Sequence, residues 1–155
     1  MVAIRNFSAV SAAAVAFFGV THFAAADPIA TTDGEAQGSR IEVQELKRVS
    51  GGTVMLRFTV INESDGDFAS FHSFRSAEAA SVDGVYLVDF AGKKKYEVVR
   101  DSDKKCLCSR DLPSVFKAKS RTVLWAKFPA PADIVEKIGV VIPHFIPMDD
   151  VPLGR

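Results

Sequence analysis

Between Val54 and Ile61 the chain alternates with a period of two: Val54, Leu56, Phe58 and Val60 share one face, and Met55, Arg57, Thr59 and Ile61 the other. A helix would scatter the first set around its axis, whereas a strand lines them up on one side of its pleat. Such a strand cannot bury its apolar face alone and needs partners on both flanks and a layer above it. The residues before it supply one partner. Ile41 and Val43 alternate with Glu42 and Gln44, and Leu46 and Val49 follow out of phase, which predicts a bulge. Gly51-Gly52 between the two runs is a hairpin signal. The second run stops at the polar turn Asn62–Asp67.

Further runs extend the pattern. Val85–Phe90 reads as a strand, and Ala91-Gly92 turns it into Lys95–Arg100. The Asp101–Lys105 turn leads to Cys106-Leu107-Cys108. In Arg121–Phe128, Thr122, Leu124, Ala126 and Phe128 oppose Val123, Trp125 and Lys127, with Pro129 and Pro131 closing the run. Ile138–Ile142 is a short apolar run bounded by Pro143. Helical signals reach a turn or two at Ser76–Ser81 and Asp133–Lys137. About seven or eight short strands spaced by turn residues predict an all-β chain, an immunoglobulin-like antiparallel β-sandwich. A small barrel is the alternative the same spacing allows.

Residues 1–26 read as a secretory signal peptide: Arg5 is the positive end, Ala9–Val20 the apolar stretch, and Ala24-Ala25-Ala26 the small residues before cleavage. The apolar stretch is shorter than the roughly 20 residues a span needs, and charged residues interrupt every later apolar run, so no membrane span is expected. No cysteine near the cleavage site supports a lipid anchor. Residues 27–39, rich in Thr, Gly, Asp and Pro without an apolar period, are expected to form a flexible leader. Residues 40–155 form the sandwich domain, and the exported product is periplasmic or secreted. Over the full chain 19 Lys and Arg balance 19 Asp and Glu, which argues against nucleic acid as a partner. Two cysteines are too few for a disulfide-built miniprotein.

The stretch from Tyr86 to Leu153 contains YLVD, a Gly-Lys-Lys-Lys-Tyr hairpin, RDSDKKCLCS, VLWAKFPAP, and VVIPHF followed by DDVPL. It resembles an uncharacterised exported domain of bacterial envelope proteins, similar to a block that precedes an OmpA-like peptidoglycan-binding module in some actinobacterial proteins. The leading LRFTVINES segment is similar to secreted immunoglobulin-like bacterial domains, mycobacterial antigens among them. The CLCS segment is the most specific feature. No OmpA-like stretch follows in this sequence. The resemblance implies a fold and an envelope location and supplies no catalytic residues.

Cys106 and Cys108 carry the distinctive chemistry. In a flat strand both sulfurs face one side, with Cα atoms about 6.6 Å apart. That is near the upper limit of disulfide geometry, so a bend or bulge is needed to relax the bond. Three outcomes stay open: a local disulfide, a redox or partner-linked pair, and a copper or zinc site, with Lys104 and Lys105 favouring thiolate reactivity in the last two alike. The tripeptide alone is similar to the Cys-X-Cys of immunoglobulin-like copper-delivery factors for cytochrome oxidase. A metal needs a third ligand, for which His72, His144 and Met148 are the candidates; otherwise no cofactor is expected.

Phe68, Phe71 and Phe74 are expected to plug one end of the core or to face a partner. Lys93, Lys94 and Lys95 form a solvated hairpin tip able to meet anionic lipid or wall polymer. Trp125 is expected in the core between the sheets. Asp65-Gly66-Asp67 and Asp101-Ser102-Asp103 read as turns, lacking the ligand spacing of a calcium loop. Ser70, His72 and Ser73 lie outside any Gly-X-Ser-X-Gly turn. The expectation is a non-enzymatic binding or interaction module whose partner is an envelope protein or wall component. A periplasmic thiol-redox or copper-handling protein using the Cys-Leu-Cys pair is the alternative.

Overall fold

The computed structural model describes residues 27–69 and 80–155. The expected signal peptide, Phe71, His72, Phe74 and most of the helical turn near Ser76 lie outside these. The described residues form ten strands and no helix: β1 Ala30–Asp33, β2 Ser39–Val49, β3 Thr53–Asn62, β4 Phe68–Ala69, β5 Tyr86–Asp89, β6 Lys94–Glu97, β7 Val115–Phe116, β8 Arg121–Pro129, β9 Lys137–Val141 and β10 Met148–Pro152. One four-stranded sheet runs β1-β2-β3-β8, the other β10-β9-β5-β6, and β4 pairs with β7 alone. All these pairings are antiparallel.

β3 is the axis of the first sheet. Its register sets Phe58 between Val43 of β2 and Leu124 of β8, and Leu56 between Leu46 and Ala126. These six side chains are buried, as are Ile41, Val54, Val60 and Phe128 around them. The expected bulge lies between Val43 and Glu45. It shifts the strand by one residue, which returns Leu46 to the inner face that strict alternation would deny it. The hairpin beyond it turns through Gly51 and Gly52, at φ of 80° and 66°, a region where side chains other than glycine are disfavoured. Leu87, Ile138, Val140, Met148 and Val151 supply the facing layer from the second sheet. The result is a sandwich.

Backbone hydrogen bonds link the two layers along both sides. On one side Ile146 N–H donates to Asp33 and Glu35 N–H to His144; on the other Val99 N–H donates to Lys127. The C-terminal residues add Gly154 to the flank of β2, through Arg48 N–H to Gly154 and Gly154 N–H to Leu46.

Three segments depart from expectation. Ala30–Asp33, within the expected flexible leader, is strand β1, and it pairs Ala30–Val43 through Asp33–Arg40. Its two threonines favour the extended conformation, and the exposed flank of β2 gives it a template. Asp133–Lys137 makes a turn and then enters β9. Beyond Pro143, where the sequence pattern predicts no further strand, the chain forms β10. There Met148 and Val151 point inward across a register shift, and Pro152 is tolerated because β10 is an edge strand.

β4 and β7 are tied by more than their two residue pairs. Lys117 Nζ donates to Asp67 Oδ2 at 2.8 Å and Ala118 N–H to Asp67 Oδ1 at 2.9 Å. The lysine hydrogen bond, then the amide, hold the Asp67 carboxyl below its ordinary value of 3.8. A depressed carboxylate pKa favours the fold above the unfolded value, and that contribution disappears as pH falls through the folded one. Lys117→Ala is expected to raise the Asp67 titration midpoint, measured by carboxyl carbon NMR. Phe58→Ala, at the centre of the core, is expected to cost about 3–5 kcal/mol in urea unfolding.

Candidate functional site

Cys106 and Cys108 are joined in a disulfide with Cα atoms 5.3 Å apart. That separation is shorter than a flat strand allows, so the chain bends at Leu107. The bend follows from what Leu107 does with its backbone. Its N–H donates to Val99 at 2.8 Å, and its carbonyl accepts from Lys127 N–H at 2.9 Å. The tripeptide is therefore wedged between β8 and the chain leaving β6. Both cysteines turn inward and are only 3% and 4% exposed, as members of the apolar core.

The approach to the bridge is fixed by a buried ion pair. Arg100 Nη2 donates to Asp83 Oδ2 at 2.6 Å and Arg100 Nη1 to the Lys104 carbonyl at 2.8 Å. The Asp83 side chain is fully buried and that of Arg100 about one-third exposed. Within the turn, Asp101 Oδ1 accepts the amides of Asp103 and Lys105, both at 2.9 Å. This is the backbone-satisfying role expected of Asp in a turn. Lys104 and Lys105 point to solvent.

Past the bridge, Ser109 clamps β8. Its N–H donates to the Trp125 carbonyl at 2.8 Å, and its hydroxyl accepts the Trp125 N–H at 3.0 Å. Between residues 108–113 and β8 runs a surface groove of about 460 Å³. Cys108, Leu112 and Pro113 line one wall, Val123 and Trp125 the other. Trp125, expected in the core, faces outward and is 37% exposed, and Val123 is 63% exposed. The period of two decides this: Leu124, Ala126 and Phe128 fill the inner face, so Trp125 takes the outer one.

Among the described residues, the other candidates do not converge on this place. Phe68 packs against Phe116 with ring centroids 5.2 Å apart. Lys93 turns the β5–β6 hairpin, at φ of 50°, while Lys94 and Lys95 belong to β6. Lys95 Nζ lies 4.3 Å from the Tyr86 ring centroid and 2.9 Å from Glu97. Beside this hairpin the exposed ring of Phe90 lies over Gly139, where a Cβ would meet it at 2.7 Å. His144 Nδ1 contacts Glu35 at 2.7 Å, beside β1 and so at the opposite edge of the first sheet from the cysteines, and Met148 is buried in β10. Among the described residues, no three His, Cys, Asp or Glu side chains form a metal-holding group. The sequence offered no local signal for the Asp83–Arg100 pair, because its members are 17 residues apart.

No family model, curated protein or solved structure matches this chain. Among the described residues no helix is long and apolar enough to cross a membrane.

Closing a three-residue ring restricts the unfolded chain by only about 1.6 kcal/mol. Cys106→Ala with Cys108→Ala also loses buried sulfur packing, so the double variant is expected to unfold with about 2 kcal/mol less stability. Protein isolated without reductant and then denatured is expected to release no titratable thiol.

Proposed function

We propose that the chain is an exported, immunoglobulin-like domain of the cell envelope that acts as a non-enzymatic binding module, with the groove beside β8 as its partner-facing surface. The pairing of Val123 and Trp125 carries this reading. Two exposed apolar side chains share the outer face of a rigid edge strand, next to a concave wall built on the disulfide. Aromatic and aliphatic anchors on a preformed scaffold bind with little ordering cost.

Strand order supports the immunoglobulin-like assignment. Naming β2, β3, β5, β8, β9 and β10 as strands A, B, C, E, F and G gives A-B-E in one sheet and C-F-G in the other, with β6 flanking C and β1 flanking A. Two hallmarks of antibody domains sit differently here. The disulfide is local to one connection, and the tryptophan faces outward. A bonded cysteine pair is at home in an oxidising compartment, in keeping with export behind the signal sequence. Thiol-redox or copper handling would need sulfurs reachable from solvent, and these are packed in the core.

A photo-cross-linking residue at position 125, in the bacterium that makes the protein, is expected to give a discrete adduct with one envelope component. The same residue at position 31 on β1 is expected to give none. Cytosolic protein retaining residues 1–26, or no adduct from position 125, would overturn the proposal.

A further inference from the structure

We propose that the Cys106–Cys108 bond is a redox-cleavable latch: reduction by a dithiol releases the wall of the β8 groove and weakens partner binding there, while the sandwich stays folded. The proposal rests on the binding-module reading and adds its regulation.

The bond contributes little to the fold around it. A three-residue ring restricts the unfolded chain less than any longer loop would, and the apolar rows through Phe58 are set by the pairing of β2, β3 and β8. Its position gives it another use. On one side Cys106 bridges Arg100, which is anchored on buried Asp83. On the other side Cys108 bridges Ala126, and Ser109 holds Trp125 through its amide and its hydroxyl. The wall continues to Leu112, bonded to the preceding chain through Val82 N–H to Ser109 at 3.2 Å and Leu112 N–H to Ala80 at 3.0 Å. One end of the bridge is thus fixed to a buried ion pair, and the other carries the groove.

Breaking the bond moves that second end. Two unbonded thiols need more room than one disulfide, and Cys106 and Cys108 belong to the packed core, where added volume is costly. The bonded segment is also held short, with Cα atoms 5.3 Å apart against about 6.6 Å in a flat strand. Both effects lengthen the tripeptide on release. With the Arg100 side fixed, Cys108 and Ser109 take up the movement, and Ser109 loses its grip on Trp125.

The sulfurs are buried, so exchange waits on local opening of the segment that holds them. That suits a state set by the compartment and not a site that turns over. One thiolate of the reductant attacks a cysteine sulfur; the S–S bond breaks, the other cysteine leaves as a thiolate and takes up a proton, and a mixed disulfide remains. The second thiol of the reductant, losing its proton, attacks the reductant's own sulfur in the mixed disulfide and expels the remaining cysteine, which is protonated in turn. The protein gains two electrons and two protons, and the dithiol departs as its disulfide.

Trp125 is the one tryptophan of the chain and reports on the wall directly. The disulfide-bonded chain is treated with millimolar dithiothreitol under native conditions and followed by Trp125 fluorescence, amide NMR and mass measurement after alkylation. Both cysteines are expected to become alkylated, Trp125 amide exchange to accelerate about tenfold or more, and Phe58 to keep its protection. Oxidised dithiothreitol, added to an unalkylated sample cleared of reductant, is expected to restore slow exchange. Cys106→Ser with Cys108→Ser is expected to reproduce the reduced state and to weaken the position-125 adduct about tenfold. Cysteines that alkylate only after urea unfolding, an unchanged Trp125 exchange rate in the reduced chain, or loss of Phe58 protection on reduction overturns the latch. An adduct equally strong in the folded double variant overturns the regulation and leaves the binding-module reading standing. Absence of the adduct from the disulfide-bonded chain defeats that reading, while the exchange rates still decide whether the bond is a latch.

Discussion

Phe58 sits between Val43 and Leu124 in a row that crosses three strands, and the fold is organised around keeping such rows on one face. β3 is paired along its whole length on both sides, so its alternation is transmitted to β2 and β8 by register. A slip of one residue in either neighbour would carry a set of apolar side chains into solvent. The bulge at Gln44 is the correction that β2 needs, because Ile41 and Val43 are out of phase with Leu46. Once this sheet has a continuous apolar face, the second must cover it with Leu87, Val140 and Val151, and the connections between layers must run along the sides.

The Cys-Leu-Cys segment is best understood as one of those connections. Leu107 bonds to β8 on one flank and to the strand extension at Val99 on the other, which a straight segment with inward sulfurs could not do so compactly. The disulfide holds the bend, and Arg100 anchors the preceding turn on a carboxylate that burial would otherwise make costly. Chemistry that looks reactive in the sequence thus serves to end the capping of β8 at a defined residue. The groove begins where that capping stops.

Much of this was legible before any coordinates. The alternation of Val54–Ile61, the phase break after Val43 and the Gly51-Gly52 turn are local signals, and each corresponds to an observed element. Trp125 shows a conflict between two local rules. Its size argued for the core and its parity for the surface, and parity prevailed because Leu124 and Ala126 already filled the inward positions. β1 and β10 were hidden for another reason. Short edge strands draw their order from a neighbour across the sheet, and Thr31 or Asp149 carries no mark of that neighbour. Asp83 and Arg100 likewise meet only through the fold. The site was half visible: the cysteines declared themselves, while the exposed face of β8 depended on which backbone groups Ser109 and Leu107 happened to reach.

The flank of β2 is shared by chain from opposite ends of the described domain. Ile29 N–H donates to Val43, and Gly154 N–H donates to Leu46, three residues further along the same strand. The path through the sandwich therefore returns to its starting point, with the Gln44 bulge lying between entry and exit. In topological terms the domain is almost a closed loop: a few linking residues would join its ends, and the exposed Gly51-Gly52 hairpin offers a place to reopen it. Attachments at either end would meet at this one seam, on the side of the first sheet opposite β8, and leave the groove unobstructed.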